Sequence, residues 1–321
     1  MKKILSILLL LTAAIAWGQS KKPYAVVDVS AAYLRAKPDY ESPLETQALM
    51  GSVMEVLDSS SYWLKVRLLE PDYTAWVNRL QVTRMDPREL QEYRRLEKVV
   101  CGPRYAQVYA EPTDKGPVIC DLVRGDVLVL VRGRLAARKH GFRRVALPSG
   151  QFGWVKNCAL LAPKDLKGTA QSVVDEALSY LGTPYLWGGS CVKGFDCSGL
   201  VRQCYFMAGI LLPRNASEQL RCGDPVDVSR VLSGDFSTLA PGDLLFFGNR
   251  ETGRVSHVAI YAGDGHIVHS SMVVRYNSLL NEAPDYYENA WRLLYGKRIF
   301  CDNPSMKGIT FLRDYPYYAD R

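Results

Sequence analysis

Apolar and polar positions alternate in short runs through the first half of the chain and recur at helical spacing later. Between 24 and 162, runs such as SVMEVL (52–57), WLKVRLL (63–69), VLVLV (127–131) and RRVAL (143–147) are broken every few residues by Gly or Pro. That texture predicts short strands joined by tight turns. It also occurs twice. LRAKPDYESPLETQALMGSVMEVL (34–57) lines up with VYAEPTDKGPVICDLVRGDVLVLV (108–131) at a constant offset of 74, so that Ala36, Pro38, Pro43 and Gly51 fall on Ala110, Pro112, Pro117 and Gly125. Further on, AWV (75–77) matches GWV (153–155) at an offset of 78. Two small β-barrels are expected, over 24–84 and 103–162. Between them DPRELQEYRRLEKVV offers Asp86 as cap, Pro87 at the first helical position and Glu89 to complete a capping box, which predicts a linker helix over 86–98.

From Lys164 the pattern changes. TAQSVVDEALSYLG (169–182) places Val173, Val174, Ala177, Leu178 and Leu181 on one helical face and ends at Gly182. CSGLVRQCYFMAG (197–209) repeats the scheme, with Leu200, Val201, Cys204 and Ala208 inward and Gly209 as terminator. Strand-like runs follow at DLLFF (243–247), HVAIYAG (257–263), HIVHSS (266–271) and RLLYGKRIF (292–300). Helices followed by an antiparallel sheet make an α+β domain over 165–321.

Composition narrows the class. The 321 residues are 48% hydrophobic and 23% charged, which argues for a folded protein rather than disorder. The net charge is +7, but no Lys/Arg block of five or more concentrates it, so nucleic-acid binding has little support. MKKILSILLLLTAAIAWG has a basic start, an apolar core and small residues at its end, which predicts a secretory signal at 1–18. No cysteine precedes Cys101, so lipidation after that core is excluded. Beyond the signal no segment is apolar enough to span a bilayer, and an exported protein without membrane insertion is expected, periplasmic or envelope-associated. Export permits disulfides, yet the eight cysteines show no pairing pattern, and the absence of any C-x-x-C pair argues against a structural zinc site. No metal or cofactor is expected.

The chemistry lies among the cysteines and histidines. Cys197 follows Asp196, a natural cap, and so starts a helix whose free amides favour a thiolate and leave the Cys197 N–H for an oxyanion. Cys204 falls in the apolar stripe, and Cys191 precedes the cap in a glycine loop. Three of the four histidines, His257, His266 and His269, sit on two predicted strands joined by Gly263-Asp264-Gly265. An odd loop, such as three residues with a glycine bulge, pairs Ala259 with His269 and puts His257 and His269 on one face; a two-residue loop puts His266 beside His257. Either register brings one histidine pair together.

TPYLWGG (183–189), FDCSGLV (195–201), LPRNASEQ (212–219), APGDLLFF (240–247) and SHVAIYAGDGHIVHSS (256–271) resemble, in order and spacing, the motifs of NlpC-type cell-wall cysteine peptidases. The two upstream repeats resemble bacterial SH3-like domains, and the layout is similar to γ-D-glutamyl-L-diamino-acid endopeptidases. The resemblance implies a papain-like fold with Cys197 as nucleophile, His257 as base and His269 as the third member. It implies Tyr185 beside the Cys197 amide at the oxyanion, and substrate contacts at Asp196, Ser198, Asn215, Ser256 and Tyr73, the last in competition with Tyr33 and Tyr62. The implied substrates are peptidoglycan stem peptides bearing a free N-terminal L-alanine. Asn215 departs from the acidic residue common at that position and adds no charge toward an ammonium. A wall-binding protein with an idle catalytic domain and an acyl transferase on the same fold are the alternatives. Activity is expected to fall in acid, below the histidine and cysteine pKa region. The tail 303–321 carries no motif.

Overall fold

The computed structural model describes residues 22–132, 138–139, 141–300 and 309–318. The expected signal segment 1–18, His140 and Cys301 lie outside the described residues. Strands β1–β7 (Tyr24–Val27, Ala31–Arg35, Leu44–Leu49, Val53–Ser60, Trp63–Leu69, Asp72–Asn78 and Val82–Met85) form one antiparallel sheet, ordered β3-β2-β6-β5-β4-β1-β7. A second sheet holds β8–β11 (Lys98–Cys101, Tyr105–Tyr109, Val118–Val123, Val127–Leu130), the two-residue β12 (Arg138–Lys139) and β13–β15 (Phe142–Ala146, Phe152–Lys156, Leu160–Leu161). Its order is β10-β9-β14-β13-β11-β8-β15, and β12 pairs with β13 off this path.

Apart from β12, the two orders are the same strand for strand, so the repeated sequence folds as a repeated topology. The repeat-equivalent glycines show why. Gly51 turns β3 into β4 at φ +86° and Gly125 turns β10 into β11 at φ +96°, a backbone region that side chains disfavour. Between the sheets, α1 (Pro87–Arg95) starts with the expected capping box: the Asp86 carboxylate accepts the Arg88 and Glu89 amides, and Glu89 accepts the Asp86 amide.

The third unit contains α2 (Ala170–Ser179), the paired β16 (Ser190–Cys191) and β17 (Gly194–Phe195), α3 (Cys197–Met207), β18 (Ile210–Leu211) and a single turn α4 (Ala216–Gln219). Strands β19 (Asp224–Val226), β20 (Leu244–Gly248), β21 (Val255–Gly263), β22 (His266–Ser271), β23 (Val273–Ser278) and β24 (Leu293–Arg298) form a six-stranded antiparallel sheet, ordered β19-β24-β20-β21-β22-β23. Leu244, Phe246, Val258 and Ile260 pack on α2 and α3 through Val173, Ala177, Leu200, Val201 and Cys204. The opposite face carries Leu245, Phe247, Ala259, Tyr261 and Ile267 into a second cluster with Tyr287 and Leu293. Leu181 does not take its expected inward place. The helix stops at Ser179, Tyr180 becomes fully buried instead, and Leu181 is 44% exposed.

One core joins all three units. Val26, Val53 and Met85 of the first sheet, Leu90 and Tyr93 of α1, Val100, Val127 and Val129 of the second sheet, and Leu166, Phe206 and Leu211 of the third unit form a single cluster. The described part of the tail closes it. There β25 (Thr310–Phe311) pairs with β18, Leu312 and Tyr317 are buried in the cluster, and the Tyr317 hydroxyl donates to the Gly51 carbonyl at 2.8 Å. Ion pairs Arg202–Glu70 and Arg124–Glu176 tie the third unit to the first and second sheets.

Candidate active site

Cys197 is a free thiol at the first position of α3. Asp196 caps the helix, its Oδ1 accepting the Gly199 amide at 2.7 Å. The helix start meets the preceding glycine loop closely. A β-carbon at Gly199 would lie 2.0 Å from the Gly189 carbonyl oxygen, so only glycine allows the approach. The backbone amides of Ser198 and of Val258, the residue after His257 on β21, favour the Cys197 thiolate.

The histidine register follows from the turn. Ile260 pairs with Val268 and Tyr261 with Ile267, the odd-loop register, and a bulge then sets Gly263 rather than Ala262 opposite His266. His257 and His269 therefore share a face, with His257 Nε2 2.8 Å from His269 Nδ1. His269 is fully buried, and its Nε2 lies 3.0 Å from Asn277 Oδ1. The Tyr287 ring packs edge to face with His269, centroids 4.5 Å apart, and lies tilted to His257 at 5.9 Å. His266 is turned away, stacked on Tyr276 with Nδ1 on the Asp264 carbonyl.

Arg214 organises the other side of Cys197 and has no counterpart in the sequence reading. Its side chain is 3% exposed and forks onto Asp196, with Nη1 3.1 Å from Oδ1 and Nη2 2.5 Å from Oδ2. Nη1 also donates to Ser198 Oγ at 3.0 Å, and Nε to Thr46 Oγ1 at 2.7 Å. Asp196 is thereby engaged on both oxygens, Oδ2 also accepting the Gly188 amide at 3.0 Å.

Thr46 belongs to β3, and β3 forms one wall of the site. Glu45 and Leu44 lie against Gly188, where a β-carbon would come within 2.9 Å of the Leu44 side chain. Gln47 Oε1 accepts the Ser190 amide at 2.8 Å. Tyr73, on β6, donates to Glu45 Oε2 at 2.7 Å, and its hydroxyl is pushed up to about 12 by burial first and then by Glu45. Arg214 lowers and Glu218 raises the same hydroxyl, each by a smaller effect. Tyr33 and Tyr62 are exposed, the latter under the Arg79 guanidinium. Asn215 heads α4 with its backbone amide on the Glu218 carboxylate at 3.1 Å. Ser256 is exposed and 3.3 Å from Arg292 Nη2.

Electrostatics correct one expectation. The helix start was expected to lower the Cys197 pKa; instead burial, helped by the Asp196 charge, raises the thiol to about 11, outweighing the Val258 and Ser198 amides and Arg214. Burial also holds His257 well below its ordinary range, with His269, Arg275 and Arg292 adding to the effect. His269 is lowered to about 4, by burial first, against the Asn277 hydrogen bond. Tyr185 is pushed up to about 12 by burial and then by Cys197 and Asp196. Burial thus favours the uncharged thiol and imidazole, an arrangement for moving one proton from sulfur to nitrogen as a carbonyl is attacked.

The acid limb of kcat/KM reports protonation of the free base, and a base held below 6.5 is still neutral there. Lowering the pH from 7 to 6 is expected to change kcat/KM by less than about twofold, the limb appearing further into acid. A pH–rate profile with its acid midpoint at or above 6.5 would show a His257 that is readily charged.

Comparisons with known proteins agree with this geometry. The family model described as the NlpC/P60 family matches residues 182–292, and the bacterial dipeptidyl-peptidase Sh3 domain matches 34–81. A gamma-D-glutamyl-L-lysine dipeptidyl-peptidase of Bacillus cereus is 31% identical over 258 residues, covering 76% of this chain and 73% of that protein. Dipeptidyl-peptidase 6 of Lysinibacillus sphaericus is 30% identical, over 83% of this chain and 95% of its own length. The crystal structure of an NlpC/P60 family protein from Bacillus cereus superposes with a TM-score of 0.72 at 26% identity, covering 87% of this chain and all of that one. The Sh3 match falls on the first sheet, and the kinship of the second with it rests on the shared strand order. The chain belongs to the NlpC/P60 family of cysteine peptidases.

Proposed function

We propose that this protein, exported after loss of residues 1–18, hydrolyses the γ-D-glutamyl–L-diamino-acid bond of peptidoglycan stem peptides that carry a free N-terminal L-alanine. The names of the Bacillus and Lysinibacillus relatives support the reaction class. The observation that carries the free-amine requirement is the acidic wall beside the nucleophile. Glu45, hydrogen-bonded to Tyr73, and Glu218 supply there the negative charge that Asn215 lacks.

Cys197 gives its thiol proton to His257 and attacks the γ-carbonyl carbon. The oxyanion is met by the Cys197 N–H and the Tyr185 hydroxyl. The C–N bond then breaks, His257 returns the proton to the departing α-amine of the diamino acid, and a thioester remains. Water, deprotonated by His257, attacks the thioester, releases L-Ala-D-Glu and restores the thiol. Ser198 takes the α-carboxylate of the D-glutamyl residue, and the Glu45–Tyr73 pair takes the alanine ammonium.

The test is a pair of substrates, L-Ala-γ-D-Glu-diaminopimelate and its N-acetyl form. Acetylation removes the cation and leaves Glu45 facing an uncharged amide. A fall of about 100-fold in kcat/KM is expected, the size of a lost charge-assisted contact. Glu45→Gln should raise KM for the free peptide and narrow that ratio. Equal cleavage of both substrates would refute the amine requirement; cleavage of neither would refute the bond assignment.

A further inference from the structure

We infer that Asn277 is a positioning residue that fixes the tautomers of both active-site histidines and so leaves the Nδ1 lone pair of His257 as the basic one. Asn277 lies on β23, opposite Ile267, two residues beyond the strand pairing of His269 with Arg275, so its side chain reaches His269 along the same sheet face.

The Asp285 carbonyl can only accept, and the Asn277 side-chain nitrogen donates to it at 2.7 Å. That orients the amide, so Oδ1 is the atom facing His269, at 3.0 Å. An amide oxygen only accepts, so His269 must carry its proton on Nε2. A neutral imidazole protonated on Nε2 is an acceptor at Nδ1. His269 Nδ1 is 2.8 Å from His257 Nε2, so His257 must donate there and is likewise protonated on Nε2. Its Nδ1 is left bare, as a base requires. A backbone carbonyl three hydrogen bonds away thus decides which nitrogen of His257 can take the thiol proton.

Both His269 and Asn277 are buried, at 0% and 7% exposure, so water does not substitute for the missing partner. If the Asn277 acceptor is lost, His269 can carry its proton on Nδ1 and donate to His257 Nε2. His257 then holds its own proton on Nδ1, and the site has no base facing the sulfur.

The inference bears on the proposed mechanism but its test needs no peptide substrate. The full-length protein, labelled with 15N in its histidines, is examined near pH 7, where the imidazole nitrogens of the two tautomers resonate far apart. The expected spectrum shows both His257 and His269 protonated on Nε2. In parallel, the rate of Cys197 alkylation by iodoacetamide is read by mass spectrometry of the peptide that contains it. Asn277→Leu is expected to mix the tautomers and to slow alkylation by about 10- to 100-fold, as the loss of an orienting partner does. Asn277→Asp, which keeps an acceptor for His269, is expected to retain the Nε2–H tautomers and a rate within about threefold. Wild-type protein showing an Nδ1–H tautomer at either histidine overturns the inference, with no variant required. So does a folded Asn277→Leu protein with unchanged tautomers and alkylation rate, or an Asp variant as slow as the Leu variant. Alkylation that follows this pattern in a protein unable to cleave the γ-glutamyl peptide would uphold the role of Asn277 and refute the substrate instead.

Discussion

Cys197→Ala is expected to lower kcat/KM on L-Ala-γ-D-Glu-diaminopimelate by about 10⁶-fold, the scale seen when a catalytic nucleophile is removed. Neither of the two cysteines nearest to it in the chain can take its place. Cys191 is buried with its sulfur 3.4 Å from Gln47 Oε1, and Cys204 is fully buried in the core beneath α3. Burial raises the former to about 12 and the latter well above its ordinary value. Alanine suits the first turn of a helix, and the Asp196 cap bond to Gly199 does not involve the sulfur, so the variant should fold with an unchanged melting temperature. Release of diaminopimelate, followed by chromatography, checks the loss. Residual activity above about a thousandth of wild type would require a second nucleophile and would remove Cys197 from that role.

Arg214→Leu should have the largest effect on stability. The guanidinium is 3% exposed and neutralises Asp196, whose side chain is 12% exposed, while also holding Ser198 and Thr46. Removing it leaves a buried carboxylate with only N–H and O–H donors, from Gly188, Ser198 and Gly199. Breaking a buried ion pair by deleting one partner typically costs about 3–5 kcal/mol. Urea unfolding of the variant is expected to show a loss of that size. Adding Asp196→Asn to Arg214→Leu should recover part of it, because the stranded charge is gone. A loss below about 1 kcal/mol, or a double variant worse than the sum of the singles, would show that the pair contributes little. The same change should also depress kcat/KM, since Ser198 and the start of α3 lose their common anchor.

What the sequence made legible was local. The Asp86–Glu89 box, the Asp196 cap and the Gly209 terminator each sit within a few residues of what they stabilise, and all three appear where the pattern puts them. The repeat was readable because Gly51 and Gly125 must turn the chain in the same unusual way. The register of β21 and β22 was narrowed to two choices, and the bulge at the turn made the selection. Arg214 was not legible because its partners come from β3, from the cap of α3 and from α3 itself, which only folding brings together. Asn277 was missed with its strand. VVRYNS (273–278) lacks the clean alternation of a half-buried strand, being exposed at Val273 and Tyr276 and buried at Val274, Asn277 and Ser278. The direction of the Cys197 shift was misjudged because the sequence reports the helix start but not the enclosure that outweighs it.

The wall that β3 sets against Gly188, Ser190 and Arg214 divides labour along the gene. The sulfur and imidazoles are encoded after position 190, whereas Glu45 and Tyr73, proposed to face the peptide's amino end, are encoded before position 80. Exchanging the codon for Glu45 is therefore expected to redirect which peptides are accepted, whereas Thr46 and Gln47 hold Arg214 and Ser190 and must be kept. An ancestral peptidase joined to a new amino-terminal module could change its diet in a single recombination event, provided the incoming strand still fits a glycine.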